Sequence, residues 1–383
     1  MSEWKCYKLS EISSLSNGIN FDKSAYTRGV KLIGVSDFKN RIHPDYDSLQ
    51  EVDSKVVKSG DYLEKGDIVF VRSNGNKELV GRCMMIDRHI PITYSGFCIK
   101  LRFKDKKLFE PVFFNYLFRT RHFKKSMTGT AVGANIQNLS QSRLGNCEVN
   151  VPDIETQKRI ATILSRYDSL IENYQKQIKL LEESAQRLYK EWFIDLRFPG
   201  YENTKIVDGV PEGWEKKKVG DITPIKTGKR DANFGTVDGK YLFFTCAQEP
   251  IKAPSYSFDT GAVILAGNGD FNVKLYRGKF EAYQRTYVLE PNNTNMLYLL
   301  FFCVSENMSR LATGASGSTI KFLTKGMIES LELYEPTVAI LCKFNKIIEP
   351  IQSQKEKFST QIRHLTEARD RLLPKLMSGE IEV

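Results

Sequence analysis

Residues 160 to 192 read IATILSRYDSLIENYQKQIKLLEESAQRLYKEW. Apolar side chains fall at Ile160, Leu164, Tyr167, Ile171, Tyr174, Ile178, Leu181, Ala185, Leu188 and Trp192, alternately four and three residues apart. On a helix of 3.6 residues per turn this spacing draws one narrow stripe, the seam of a coiled coil. Residues 344 to 376 read FNKIIEPIQSQKEKFSTQIRHLTEARDRLLPKL, and place Phe344, Ile348, Ile351, Phe358, Ile362, Leu365, Leu372 and Leu376 at the same steps. Lys355 and Arg369 interrupt this second stripe. A single stripe can be satisfied by its own domain's core. Two stripes in matching places supply each other's partner. The pattern alone leaves parallel and antiparallel pairing open. Antiparallel pairing would let each helix leave its own module and run toward the other, and is the arrangement expected. At a rise of 1.5 Å per residue the seam is roughly 50 Å long.

Working outward from the helices, the rest of the chain also repeats. Trp4-Lys-Cys-Tyr-Lys-Leu-Ser-Glu-Ile at the start returns as Trp214-Glu-Lys-Lys-Lys-Val-Gly-Asp-Ile, and Gly18 then matches Gly228. Lys65-Gly-Asp-Ile-Val-Phe-Val-Arg-Ser-Asn-Gly75 resembles Thr260-Gly-Ala-Val-Ile-Leu-Ala-Gly-Asn-Gly269. Each is a short β-branched run that ends at a Gly/Asn turn, hence a strand and a loop. Met127-Thr-Gly-Thr-Ala-Val-Gly133 and Ala312-Thr-Gly-Ala-Ser-Gly317 are matching small-residue loops, and helices follow Pro152 and Pro336. Between the halves, residues 198–213 are rich in turn formers. The expected fold is α+β: two globular modules separated by two long helices that form an antiparallel coiled coil, with pseudo-two-fold symmetry. The expected spans are 1–151 for the first module, 152–195 for its helix and 196–213 for a linker. The second module takes 214–335, the second helix 336–378 and a tail 379–383.

The chain of 383 residues carries a formal net charge of +10, which suits a polyanionic partner. Residues 1–150 hold 24 Lys+Arg against 16 Asp+Glu, whereas residues 210–335 hold 15 against 14. The excess therefore sits in the first module. No apolar run of 18 or more residues offers a membrane span, and the N-terminus has no signal-peptide pattern. The seven cysteines (Cys6, Cys83, Cys98, Cys147, Cys246, Cys303 and Cys342) stand singly, as expected of idle thiols in a reducing cytoplasm.

Catalytic signatures are missing. A DNA methyltransferase needs a Gly-rich cofactor loop and an Asn/Asp-Pro-Pro-aromatic segment. There is no Pro-Pro pair, and Asn272 stands where the third glycine after Gly267-Asn-Gly269 would be. That stretch reads as a turn between strands. Asp45, Asp53 and Lys55 have the letters of a metal-dependent nuclease site within an ordinary polar stretch. The phosphate-loop spacing is absent, as are metal-ligand spacings around His43, His89, His122 and His364.

Several further stretches, taken in order on top of the repeat, carry a family likeness: Glu191-Trp-Phe-Ile-Asp-Leu-Arg-Phe-Pro-Gly200, Val207-Asp-Gly-Val-Pro-Glu-Gly-Trp214, Ala266-Gly-Asn-Gly269, Ala282-Tyr-Gln-Arg-Thr-Tyr-Val288 and Arg371-Leu-Leu-Pro-Lys-Leu-Met-Ser-Gly-Glu-Ile-Glu382. The chain resembles the specificity subunits of Type I restriction-modification systems over nearly its whole length. The resemblance implies that each module is a target recognition domain for one half of a bipartite, asymmetric duplex DNA sequence. The paired helices would set the gap between half-sites. Two modification subunits would bring the methyl donor, and two motor-nuclease restriction subunits would bring ATP and Mg. This chain would bind no cofactor or metal and catalyse nothing by itself.

Base-edge readers are sought on loops beside strand ends. In the first module these are Ser36, Lys39, Arg72, Ser73, Asn74, Asn76 and Lys77. In the second they are Lys229, Arg230, Gln248, Asn268, Asn272, Gln284 and Arg285. Each has a plainer reading as a turn residue or solvated polar group, and Arg285, between Tyr283 and Tyr287, could equally anchor the core. The aromatic runs Phe113–Phe118 and Tyr298–Cys303 suit core packing better than base stacking. A reading from another class is an interaction scaffold whose modules never touch DNA; the basic first module argues against it.

Overall fold

The computed structural model describes residues 4–38, 41–73, 79–128, 138–315 and 321–383. The chain forms two compact units. One comprises residues 1–174 with 360–383, the other residues 175–359. Two long helices, Ile154–Tyr189 and Val338–Met377, each contribute a part to both. The first helix is capped by Asp153. Its carboxylate accepts the backbone N–H groups of Glu155 and Thr156 at 3.0 Å each, and the Thr156 hydroxyl at 2.8 Å. These contacts hold the Asp153 carboxyl below the usual carboxylate range.

Within the first unit, Ile160, Ala161 and Leu164 share a core with Leu372, Leu373, Leu376 and Met377, and Asp168 pairs with Arg369. Within the second unit, Trp192 meets Phe344 at 5.9 Å between ring centroids, while Glu182 meets Lys355 at 2.8 Å. In each unit, positions rise on one helix as they fall on the other, so the pairing is antiparallel. None of the seam positions is exposed, whereas Leu170 and Leu180, off the stripe, are. Lys355 and Arg369, the two interruptions of the second stripe, are the residues that find carboxylates on the first helix. A charge in a seam is tolerated when it is paired.

In the first unit, a four-stranded antiparallel sheet runs in the order Ser13–Asn17, Cys98–Phe103, Ile68–Val71, Cys83–Met85. A three-stranded sheet, Gln50–Val52, Tyr26–Ile33 and Ile92–Tyr94, completes the unit. Side chains alternate along a strand. Ile68 and Phe70 therefore join the aromatic core of the helix Pro111–Leu117, with Phe113, Phe114 and Phe118. Val69 and Val71 face the other way, against Tyr46, Tyr94 and Cys98. With both faces covered, the strand reads as an unbroken apolar run.

The second unit uses the same plan. Its six-stranded sheet runs in the order Ile225–Thr227, Thr286–Leu289, Phe258–Ala266, Val273–Ala282, Tyr241–Phe244, Ile251–Ala253. Val263 and Leu265 belong to the core of the helix Leu297–Glu306; Ala262 and Ile264 pack on Phe244, Phe280 and Val288. Both aromatic runs singled out in the sequence are thus core. The register of the repeat is visible in the sheets. Lys5–Lys8 pairs with Glu148–Val151, and Glu215–Lys218 pairs with Glu332–Glu335, both antiparallel. Gly18 and Gly228 match in detail. A Cβ on the first would lie 2.3 Å from the Tyr94 carbonyl oxygen, and one on the second 2.1 Å from that of Ala282, so no side chain fits at either. The stretch between halves contains a hairpin, Ile206–Val207 with Val210–Pro211. Its turn residues Asp208 and Gly209 both have positive φ (51° and 77°), as a two-residue type I′ turn requires.

Candidate nucleic-acid interface

Seven polar residues of the second unit, far apart in sequence, meet at one end of its sheet. The loop after Ile225–Thr227 carries Lys229 and Arg230, and the turn into Thr286–Leu289 carries Gln284 and Arg285. They are zipped together by the Gln284 N–H, which donates to the Arg230 carbonyl at 2.9 Å. The Gly267 N–H donates to the Arg285 carbonyl, also at 2.9 Å, which brings in the neighbouring Asn268. The Asn272 side-chain amide donates to the Cys246 carbonyl at 3.0 Å, and Lys274 Nζ to that of Ala247 at 2.8 Å, beside Gln248. Burial lowers the Lys274 pKa. Lys229, Arg230, Gln248, Gln284 and Arg285 are exposed, and Asn268 and Asn272 half-buried. Arg285 is therefore no core anchor. Its neighbours Tyr283 and Tyr287 are the half-buried residues of that turn, because the strand begins only at Thr286.

The first unit builds the matching end. The Arg72 N–H donates to the Phe97 carbonyl at 2.7 Å and Ser73 to the same oxygen at 3.3 Å, while the Gly96 N–H donates to Ile19 at 2.7 Å. Isolated bridges repeat in kind. Ile19 bridges Ser95 in parallel as Arg230 bridges Tyr283, and Ser73 bridges Asn138 as Asn268 bridges Phe322. Ser36 is exposed just beyond the strand that ends at Ile33, whose carbonyl accepts the Ser95 N–H. Lys39, Asn74, Asn76 and Lys77 lie outside the described residues.

Sequence reasoning missed Asn20 and Phe97, both exposed on the same loops, Phe97 at 61 %. It also missed a basic pocket in the first unit, lined by Arg41, Arg82, Arg119 and Lys124 with Phe38 and Phe118. Arg119 Nη2 donates to the carbonyls of Arg41 and Cys83, and its Nε is buried without a partner among the described residues. Nothing in the spacing of residues 41, 82, 119 and 124 signals that they converge; topology brings them together. Part of the charge of the second unit is taken up in ion pairs. Lys216, Lys217, Lys226 and Lys325 are paired with Glu332, Glu335, Glu290 and Glu329, outside the loops described above.

The residues weighed for metal chemistry have other occupations. Asp45 pairs with Arg41 at 2.8 Å, and Asp53 caps a turn by accepting the Lys55 N–H at 2.9 Å. Among the described residues no group of three or more His, Cys, Asp or Glu side chains could hold a metal ion, and no helix is long and apolar enough to cross a membrane. Burial pushes the Cys98 and Cys303 thiols up to about 12, and raises Cys83 and Cys147 as well. As thiols rather than thiolates these four are poor nucleophiles.

Residues 1–183 and 211–366 match the family model described as "Type I restriction modification DNA specificity domain". The chain is 37 % identical over 178 residues to the Type I restriction enzyme EcoDI specificity subunit of Escherichia coli, a match over 45 % of this chain and 39 % of that protein. It therefore spans about two fifths of that relative's length. It is 28 % identical over 297 residues to the MjaIX specificity subunit of Methanocaldococcus jannaschii, covering 70 % and 68 % of the two. In fold it is similar to the crystal structure of a Type-I restriction-modification system S subunit from M. genitalium, with a TM-score of 0.61, 16 % identity, and 98 % and 96 % of the two chains covered.

Proposed function

Because this chain belongs to the Type I restriction modification DNA specificity family and is a specificity subunit of that type, we propose that each of its two units reads one half of a bipartite, asymmetric duplex DNA target. The observation that carries this reading is the repeated loop end. In each unit, polar side chains from separate loops gather at one sheet end, around the same glycine and the same bridges. Loops on a rigid sheet present base-reading side chains at a reduced ordering cost on binding. The basic pocket of the first unit suits phosphates, which give affinity and salt dependence, whereas the loop side chains suit base edges, which give sequence choice.

In this reading the paired helices set the unspecified gap. Half-sites one turn apart are separated by roughly 34 Å, which a seam of roughly 50 Å can span. Two modification subunits dock on the repeated body and supply the methyl donor. Two restriction subunits supply ATP-driven, Mg-dependent translocation and cleavage. The chain selects the site in the cytoplasm and performs no chemistry. The test is selection from a random-sequence duplex library by this chain co-expressed with its modification subunit. Two short motifs with a fixed gap are expected. One motif would remove the second unit from the reading. No motif from an intact complex would leave an interaction scaffold.

A further inference from the structure

Among the side chains at the second unit's loop end, Arg230 is held differently from the others. Its Nε–H faces Glu281 Oε2 at 3.4 Å, and its Cζ sits 4.3 Å from the centroid of the Phe234 ring. Its own backbone carbonyl is fixed by the Gln284 N–H. Glu281 is fully buried, and its carboxylate also accepts the Ala282 N–H at 3.0 Å and the Ser257 hydroxyl at 2.8 Å. The carboxylate that orients Arg230 is therefore itself fixed. Among the described residues, none bonds the two terminal nitrogens of Arg230, and its side chain is 43 % exposed. Next to it, the Gln284 amide donates to Asp231 Oδ1 at 2.8 Å.

Resting on the reading of the second unit as a half-site reader, we propose that Arg230 is the residue that selects guanine in that half-site. Phe234 and Glu281 act as positioning residues for it. Two arguments separate this from a phosphate contact. A phosphate asks for net positive charge, but Glu281 faces Arg230 and Asp231 lies beside it, whereas the exposed Arg285 of the same loop end carries the charge left over for a phosphate. A guanine edge asks for a planar pair of donors against its O6 and N7 acceptors, and a guanidinium anchored through Nε and lying over a ring presents its two Nη groups as such a fork. The Arg230 side chain is thus arranged before DNA arrives, which spares the ordering cost of a long flexible side chain.

The experiment uses the complex of this chain with its modification subunit, and compares the wild type with R230Q, R230K and E281Q in selection from a random duplex library. Affinity for the selected site is then measured against salt. The wild type is expected to enrich a second half-site with one invariant guanine. R230Q and R230K both lose preference at that position alone, with a fall in affinity of roughly 5- to 150-fold for one bidentate base contact. The salt slope stays unchanged. E281Q blurs the same position and leaves the first half-site intact. If R230Q weakens all sequences equally and lowers the salt slope by roughly 0.9, Arg230 acts as a charge and the proposal is wrong. If R230K keeps the guanine, the planar fork that Phe234 and Glu281 orient is not what selects it, and the positioning role is wrong. A second motif that R230Q leaves unchanged would also overturn it while sparing the half-site reading. Absence of any second motif in the wild type would overturn both.

Discussion

Asp168 lies where the first unit's helical core meets its long helix, and its replacement should weaken that unit more than the loss of one surface charge would. Its side chain is 7 % exposed. One carboxylate oxygen accepts the Tyr116 hydroxyl at 2.5 Å, and the other accepts Arg369 Nη1. Burial and the neighbouring carboxylate raise the Tyr116 pKa, which keeps that phenol a donor. Asp168→Ala would strand a half-buried guanidinium and a buried hydroxyl together. Breaking a buried pair from one side costs about 3–5 kcal/mol. Arg369 keeps Asp370 at 2.8 Å, but that partner is 57 % exposed, and such a pair is worth about 0–1 kcal/mol. The expected loss is therefore at the low end, about 3 kcal/mol. Hydrogen exchange under increasing urea, followed peptide by peptide in the full chain, assigns the loss to a unit. Protection should fall in residues 111–128 and 154–174 and hold in residues 258–306. The triple variant Y116F/D168L/R369L removes every member of the network at once. Replacing a buried ionic group by apolar residues is neutral or stabilising by about 1–4 kcal/mol, so the triple variant should recover the protection. A cost below about 1 kcal/mol for Asp168→Ala, or a triple variant weaker than the single one, would refute the argument that desolvation dominates here.

Gly228→Ala and Gly18→Ala should each lower the melting temperature, at an overpacking cost of about 1–3 kcal/mol, because the new Cβ meets a backbone carbonyl at 2.1 Å or 2.3 Å; unchanged melting would mean the backbone yields freely. Asp153→Ala should cost about 1 kcal/mol near neutral pH through loss of the helix cap. Since the folded carboxyl is depressed, its contribution is full above the unfolded value of about 3.9 and is lost as pH falls through the folded value, so the variant and the parent should converge in acid unfolding. Arg41→Gln and Lys124→Gln, in the lining of the basic pocket, should each reduce the slope of log affinity against log salt by roughly 0.9 with no change in selected sequence; a changed sequence with an unchanged slope would make them base readers instead.

Much of this architecture was legible because it rests on local rules. A four-three spacing of apolar residues can be counted, and Ile160 through Leu188 and Phe344 through Leu372 turn no exposed face to solvent. The alternation in Ile68–Val71 and in Val263–Ala266 cannot be seen as amphipathic, since both faces are apolar, yet the Gly/Asn turn after each marks where a loop begins. The direction of helix pairing was not legible from the stripe, which is symmetric. In the structure the ion pairs of the two residues that break the stripe record it. Asp168 and Glu182 become identifiable as the partners of Arg369 and Lys355 only once the pairing is known.

The loop end divides in the same way. Lys229, Arg230, Asn268, Asn272, Gln284 and Arg285 were legible as polar residues flanking predicted strands. That they belong together was not, because the order of strands in a sheet is set by long-range pairing rather than by sequence neighbours. Glu281 shows the limit most clearly. By pattern it is one more charge in a strand beside Lys279, with no reason to be preferred to Glu290 or Asp259. Its distinction is that it is buried, and that its partners Ser257, Ala282 and Arg230 come from a separate loop, its own strand and the loop after residue 227. A buried carboxylate costs several kcal/mol unless its lone pairs are used. Its presence beneath an exposed arginine therefore demands a return, and the structure offers one in the direction it gives to Arg230. The same demand applies at Arg119, whose buried Nε has no partner among the described residues. On the half-site reading proposed above, the buried polar groups at the surface ends of a sheet, rather than the exposed polar residues above them, mark the loops that hold the DNA.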